Sequence, residues 1–310
     1  MARITSFFYF IFLFLTGYTQ DSIYSLQLQD VRITIDQPVA QQRKGPLLLI
    51  LYALPNGNTT EQTMGKKMMP GDDWHFDIQH IRAQTKFLRQ TLTNDEIAVA
   101  YLENDYKSWP LWKRNHPDFS QLIPQIVDSI RSLFKDHKTL VYLNGHSGGG
   151  SFIFGYLDGV RAIPSYIRRI SFIDSNYGYD SIYTGKLVQW MNADRRNVMT
   201  VFAYNDSVAL LNDKPVVSAT GGTWYKTHRM LMDLSSHRYR FREIRSDSIV
   251  AYKSTNEQAW FFLKLNPDRK IFHTQQVELN GFIHAVLCGT KKDSQGYRYY
   301  DKRVYEGLIE

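Results

Sequence analysis

Ser147 stands in Gly145-His146-Ser147-Gly148-Gly149, a G-x-S-x-G pattern. A serine hydroxyl is a weak nucleophile until it is exposed beside a base. A sharp strand-to-helix turn gives that exposure, and side chains two residues to either side would clash, so glycine is demanded there. The helix beyond the turn adds free backbone N–H groups and a favourable field for a developing oxyanion. The chemistry indicated is acyl transfer. The flanks agree: residues 139–143 are strand-like and residues 151–157 form an apolar helical run. The glycines lack the Gly-Lys-Ser/Thr ending of a phosphate-binding loop, and no second glycine pattern suits a dinucleotide.

A serine on such an elbow needs an acid and a histidine, met in that order along the chain. Four histidines follow Ser147: His228, His237, His273 and His284. His284 lies in a glycine-containing loop, Leu279-Asn-Gly-Phe-Ile-His-Ala285, that leads into a short helix near the C-terminus. A late base hangs over the serine from such a place, so His284 is the expected base. His273 precedes the strand-like Gln-Gln-Val-Glu-Leu and reads as structural, while His228 and His237 flank a helix at 230–234. Two aspartates end strand-like runs between serine and base. Asp174 comes one strand after the nucleophile and Asp206 two strands after. Only one is needed to orient the imidazole. Asp206 occupies the commoner position and is slightly favoured, and Asp174 stays open. The oxyanion hole should take one N–H from Gly148 and another from the loop holding Asn56, Gly57 and Asn58.

These residues need a scaffold that brings strand ends together. Residues 23–35 alternate apolar and polar like opening strands of a sheet. Residues 47–52 are a continuous apolar run bounded by turn residues, as expected of a strand buried on both faces; 97–102 reads as the next buried strand, and 139–143, 167–173 and 198–204 read as further strands. Between them lie helical segments at 74–92, 122–134, 151–157 and 182–191. This alternation predicts a three-layer α/β fold with a central, mostly parallel sheet. From 220 onward the pattern is less regular, and a polar tail follows Gly289.

Other clusters carry less. Asp72, Asp73, His75, Asp77 and His80 fall close together, but His75 and His80 do not share a helix face and no H-E-x-x-H pattern occurs. They read as helix-start partners at the mouth of the site, and no metal is expected. Trp109, Trp112, Lys113 and Arg114 sit at a strand end, where a sugar or aryl group could bind or a loop could be clamped. Arg238, Arg240 and Arg242 alternate like a solvated edge strand.

From 47 to 284 the chain resembles the α/β-hydrolase superfamily. The residues that carry the resemblance are Ala53-Leu-Pro-Asn-Gly-Asn58, Gly145-His-Ser-Gly-Gly-Gly150, Phe172-Ile-Asp-Ser-Asn-Tyr-Gly178 and Gly221-Gly-Thr-Trp224. More narrowly they are similar to a group of exported bacterial hydrolases. The resemblance implies a Ser-acid-His triad and no cofactor. It does not name a substrate.

The N-terminus narrows the setting. Arg3 precedes an apolar run at 7–15, and small or short polar residues follow at Thr16, Gly17 and Thr19. This is the pattern of a secretory signal peptide at 1–19, with a single domain at 20–310. The run is too short to span a bilayer, so no stable membrane insertion is expected after cleavage. A secreted or periplasmic protein results. Cys288 is the only cysteine, which excludes an internal disulfide. The net charge of +7 is spread along the chain without a long basic run, so nucleic acid is not an expected partner. At 43% hydrophobic the chain can bury a core, which excludes disorder. The leading expectation is an esterase acting on a small-molecule, carbohydrate or lipid ester. The alternatives are a serine peptidase or amidase, and a silent hydrolase fold used for binding.

Overall fold

The computed structural model of the chain describes residues 21–28, 30–38 and 45–310. The expected signal peptide at 1–19 lies outside the described residues. Among them, no helix is long and apolar enough to cross a membrane.

Among the described residues, ten strands form one sheet. They are β1 (Asp21–Leu28), β2 (Val31–Pro38), β3 (Leu47–Ala53), β4 (Glu96–Asn104), β5 (Thr139–His146), β6 (Ile167–Ile173), β7 (Val198–Tyr204), β10 (Phe241–Arg245), β11 (Ile249–Ser254) and β12 (Ala259–Lys264). Two-residue strands β8 (Leu210–Leu211) and β9 (Lys214–Pro215) pair separately. The sheet order is β1-β2-β4-β3-β5-β6-β7-β12-β11-β10. From β4 to β12 every neighbouring pair is parallel. Antiparallel strands close both edges. Every residue of β3, β7 and β12 is buried, as strands covered on both faces must be.

The covering helices are α1 (Thr60–Met64), α2 (Ile81–Thr91), α3 (Trp109–Asn115), α4 (Phe119–Ser132), α5 (Gly150–Gly159), α6 (Thr184–Ala193), α7 (Thr223–Ser236), α8 (Gln275–Glu278) and α9 (Gly281–Leu287). Ile123, Phe152, Leu187 and Met230 of α4 to α7 build the core on one face of the sheet. Ile81, Leu88, Val277 and Phe282 of α2, α8 and α9 build the core on the other. The architecture is therefore three-layered and α/β, with a mostly parallel centre.

Several segments differ from the sequence expectation. The helix expected at 74–92 is broken: Trp74–Asp77 is one 3-10 turn, and α2 starts only after His80, whose φ is +45°. The segment after 109 is a helix begun by the Ser108 cap, with Pro110 in its first turn. It buries Trp109 and Trp112 edge to face at 5.4 Å, so both indoles serve the core and not a ligand wall. The arginine-rich strand begins at Phe241 and lies at the sheet edge, as a solvated edge strand should. The polar tail is part of the fold. Tyr297 and Tyr305 are buried, and Arg303 pairs with Asp77 and Glu278, at 2.7 Å each.

Candidate active site

The elbow is built as the glycine spacing requires. β5 runs to His146 and α5 begins at Gly150. Ser147, between them, has φ +53°, a left-handed conformation costly for a residue with a side chain. A Cβ on Gly145 would lie 2.7 Å from the Gly149 carbonyl carbon, so the strand and the helix start touch backbone to backbone. Ser147 itself stays partly exposed.

Opposite the elbow, the loop after β12 brings in His273. Its Nδ1 lies 2.5 Å from Asp174 Oδ2, and Asp174 is fully buried. Asp174 follows β6 and also has a left-handed φ, +43°. With Nδ1–H donated to the carboxylate, Nε2 is left as the basic nitrogen. The His273 ring stacks on His146, the residue before Ser147, with centroids 4.7 Å apart. His146 Nε2 donates to the His273 carbonyl at 3.2 Å. A carbonyl only accepts, so the proton of His146 is on Nε2. Burial, and next the neighbouring His273, hold the His146 imidazole neutral.

The two aspartates divide. Asp206 accepts from the backbone N–H of Thr223 at 2.7 Å and of Trp224 at 3.2 Å. Those are free donors at the start of α7, so Asp206 caps that helix from a distant loop. Thr223 Oγ1 bonds Asp174 and also lies 3.2 Å from Asp206. One hydroxyl proton therefore stands between two buried carboxylates. The sequence leans toward Asp206, but the carboxylate that meets an imidazole is Asp174.

Burial, followed by the negative charge of Asp174, pushes the Asp206 carboxyl up to about 6. A carboxyl raised on folding stabilises the fold below its unfolded value, and that stability is lost as pH rises through about 6. Relative to Asp206→Asn, the chain should therefore gain about 1.4 kcal/mol between pH 8 and pH 5. Urea unfolding of both proteins at the two pH values measures this. Equal pH dependence would refute it.

His284 does not meet either aspartate. It lies within α9, which packs on the face of β6. Its Nδ1 is 2.9 Å from the Tyr297 hydroxyl, and its ring stacks on Tyr299 at 5.3 Å. Burial lowers its imidazole to about 4. The expectation that His284 hangs over the elbow is corrected: the loop before it turns under the sheet.

The oxyanion loop is close to the elbow. A Cβ on Gly148 would lie 1.9 Å from Asn56 Oδ1, so the Asn56 side chain rests on Gly148. Gly57 N–H donates to the Lys107 carbonyl at 2.7 Å, and Asn58 N–H faces the Pro55 carbonyl at 3.5 Å. Of the three loop residues, Asn56 is the one against Gly148. The acidic cluster upstream is internally paired: His75 with Asp73 at 2.5 Å, His80 with Asp77 at 2.8 Å, and Lys66 with Asp72 at 2.6 Å. Among the described residues, no group of three or more His, Cys, Asp or Glu side chains could hold a metal ion.

Two residues beside the elbow escaped the sequence reading. His273 could have been found from the apolar run Ala-Trp-Phe-Phe-Leu-Lys of β12, which adds a parallel strand beside β7 and launches the loop carrying the histidine. His146 is the x of the elbow pattern, and nothing in the pattern marks it.

No family model matches the sequence, and no curated protein matches it. Solved structures similar to the chain include a feruloyl esterase module from Clostridium thermocellum complexed with sinapinate, at 9% identity and TM-score 0.48, over 90% of this chain and 91% of that one. A glucuronoyl esterase from Solibacter usitatus matches at 10% identity and TM-score 0.45, over 87% and 82%. A dienelactone hydrolase from Anabaena variabilis matches at 12% identity and TM-score 0.40, over 87% and 95%.

Proposed function

We propose that the chain is an exported serine hydrolase that cleaves carboxylic esters, with Ser147 as nucleophile, His273 as base and Asp174 as the orienting acid. The supporting observation is the Asp174–His273 contact of 2.5 Å, set against the residue that precedes a strained serine elbow. Neutral His273 Nε2 takes the Ser147 proton as Oγ attacks the ester carbonyl. The carbonyl oxygen becomes an oxyanion, held by the Gly148 N–H and by Asn56. Collapse breaks the ester C–O bond, and His273 returns the proton to the leaving alcohol. Water then repeats the sequence on the acyl-serine and frees the acid. Asp174 stays ionised throughout and supports the imidazolium. No step needs a metal or an organic cofactor.

Labelling with a fluorophosphonate tests the reading directly. The wild-type chain should be modified at Ser147, and a panel of acyl esters should be hydrolysed faster than peptide amides. A chain that takes no label and cleaves no ester would overturn the proposal.

His146 is a positioning residue in this scheme. His146→Phe keeps a ring against His273 and loses the donor to its carbonyl. A neutral hydrogen bond contributes about 1 kcal/mol. The expected result is a kcat lower by about 5- to 10-fold with KM nearly unchanged. Steady-state kinetics on one ester separates the two terms. A changed KM with unaltered kcat would assign His146 to substrate binding instead.

A further inference from the structure

We propose that the chain carries a second site, at the sheet edge opposite Ser147, that binds a tetrahedral oxyanion, phosphate or sulfate, free or esterified to a small polyol. Ser147 lies at the C-terminal ends of the parallel strands. At their N-terminal ends, on the α9 side, is an open cavity of about 760 Å³, lined among others by Tyr142, Arg168, Arg169, Arg195, Arg196 and Thr290.

Arg169 makes the case. It sits near the start of β6 and is only 4% exposed. Its Nη1 donates to the Ala285 carbonyl at 3.3 Å, and its guanidinium lies 5.7 Å from the centre of the Tyr142 ring. No carboxylate of the described residues pairs with it. Asp293, on the same side, is turned to the Gly289 N–H at 2.9 Å and toward His284 at 3.8 Å. A guanidinium cannot shed its proton, and a buried charge without a counter-charge is costly. The cavity is where that charge can be answered.

The rim repeats the imbalance. Arg168 and Arg196 share a single carboxylate, Asp194, at 2.7 and 2.6 Å. Arg195 is exposed, and no carboxylate of the described residues pairs with it. Glu257, the acid in the cavity wall, is taken by Lys253 at 2.5 Å. The surplus is positive and concave, which focuses the field on an anion. Planar guanidinium forks match phosphate and sulfate oxygens two at a time. The volume exceeds one such ion, and the hydroxyls of Thr255 and Thr290 with the Tyr142 ring suit an attached polyol.

Isothermal titration of the full chain with sodium phosphate, sodium sulfate and glucose 6-phosphate at fixed ionic strength tests the site, with chloride and glucose as controls. One phosphate or sulfate per chain should bind. Arg169→Met should weaken binding at least tenfold, and Ser147→Ala should leave it unchanged. The double variant Arg195→Gln/Arg196→Gln, altered only at exposed positions, should weaken it at least threefold and decides the matter if Arg169→Met does not fold. Tighter binding of glucose 6-phosphate than of phosphate identifies an esterified ligand, and equal binding identifies the free anion. Absence of saturable anion binding, or undiminished binding in the folded variants, overturns the proposal.

Discussion

Ser147→Ala should lower ester turnover by about 10⁵- to 10⁶-fold and abolish fluorophosphonate labelling. The size follows from what the substitution removes. Without Oγ no acyl-serine forms, and the remaining catalysis is what the oxyanion donors and binding supply to an attacking water. The fold should survive. Ser147 is partly exposed, and alanine at φ +53° meets the same backbone strain as the serine. Circular dichroism and thermal melting of the variant should match the wild type within a few degrees. Burst kinetics with an activated ester add a second readout: wild type should release one alcohol per chain quickly, and the alanine variant none. A folded Ser147→Ala protein with wild-type turnover would refute the nucleophile.

The scaffold was legible because its physics is local. β3 is an apolar run bounded by turn residues, β7 is nearly one, and the elbow glycines are forced by backbone contact between 145 and 149. The partners proposed for Ser147 were not legible, because they depend on where loops return. Asp174 and Asp206 end adjacent strands, and their types are identical. Only the start of α7 separates them, by claiming Asp206 with two backbone N–H groups. His284 and His273 are separated by the same kind of distant fact. Phe202 and Phe262 lie beside the His284 ring, so it joins the core under the sheet. The tail after Gly289 looked polar because its tyrosines are interleaved with lysine, aspartate and serine. Yet Tyr297 and Tyr305 close the core beside α2 and α9.

His273→Ala and His284→Ala should therefore behave oppositely. A serine hydroxyl transfers its proton only to a group within about 2.6–3.2 Å of it in the working complex. His273 has the attributes of that group: one ring nitrogen committed to a buried carboxylate at 2.5 Å, a ring held against the elbow, and partial exposure. His273→Ala should cost about 10⁴- to 10⁶-fold in kcat with little change in melting temperature. Asp174→Asn should cost about 10⁴-fold, since an amide can hold the wrong imidazole tautomer and cannot support its charge. His284→Ala should do the reverse. It empties a site among Phe202, Phe262, Tyr297 and Tyr299 and strands the Tyr297 hydroxyl, at a cost of about 2–4 kcal/mol in stability. Its kcat, measured below its lowered melting point, should stay within about threefold of wild type. Steady-state kinetics with urea unfolding on the three variants separates the roles. An active His273→Ala protein beside an inactive, stable His284→Ala protein would restore His284 as the base.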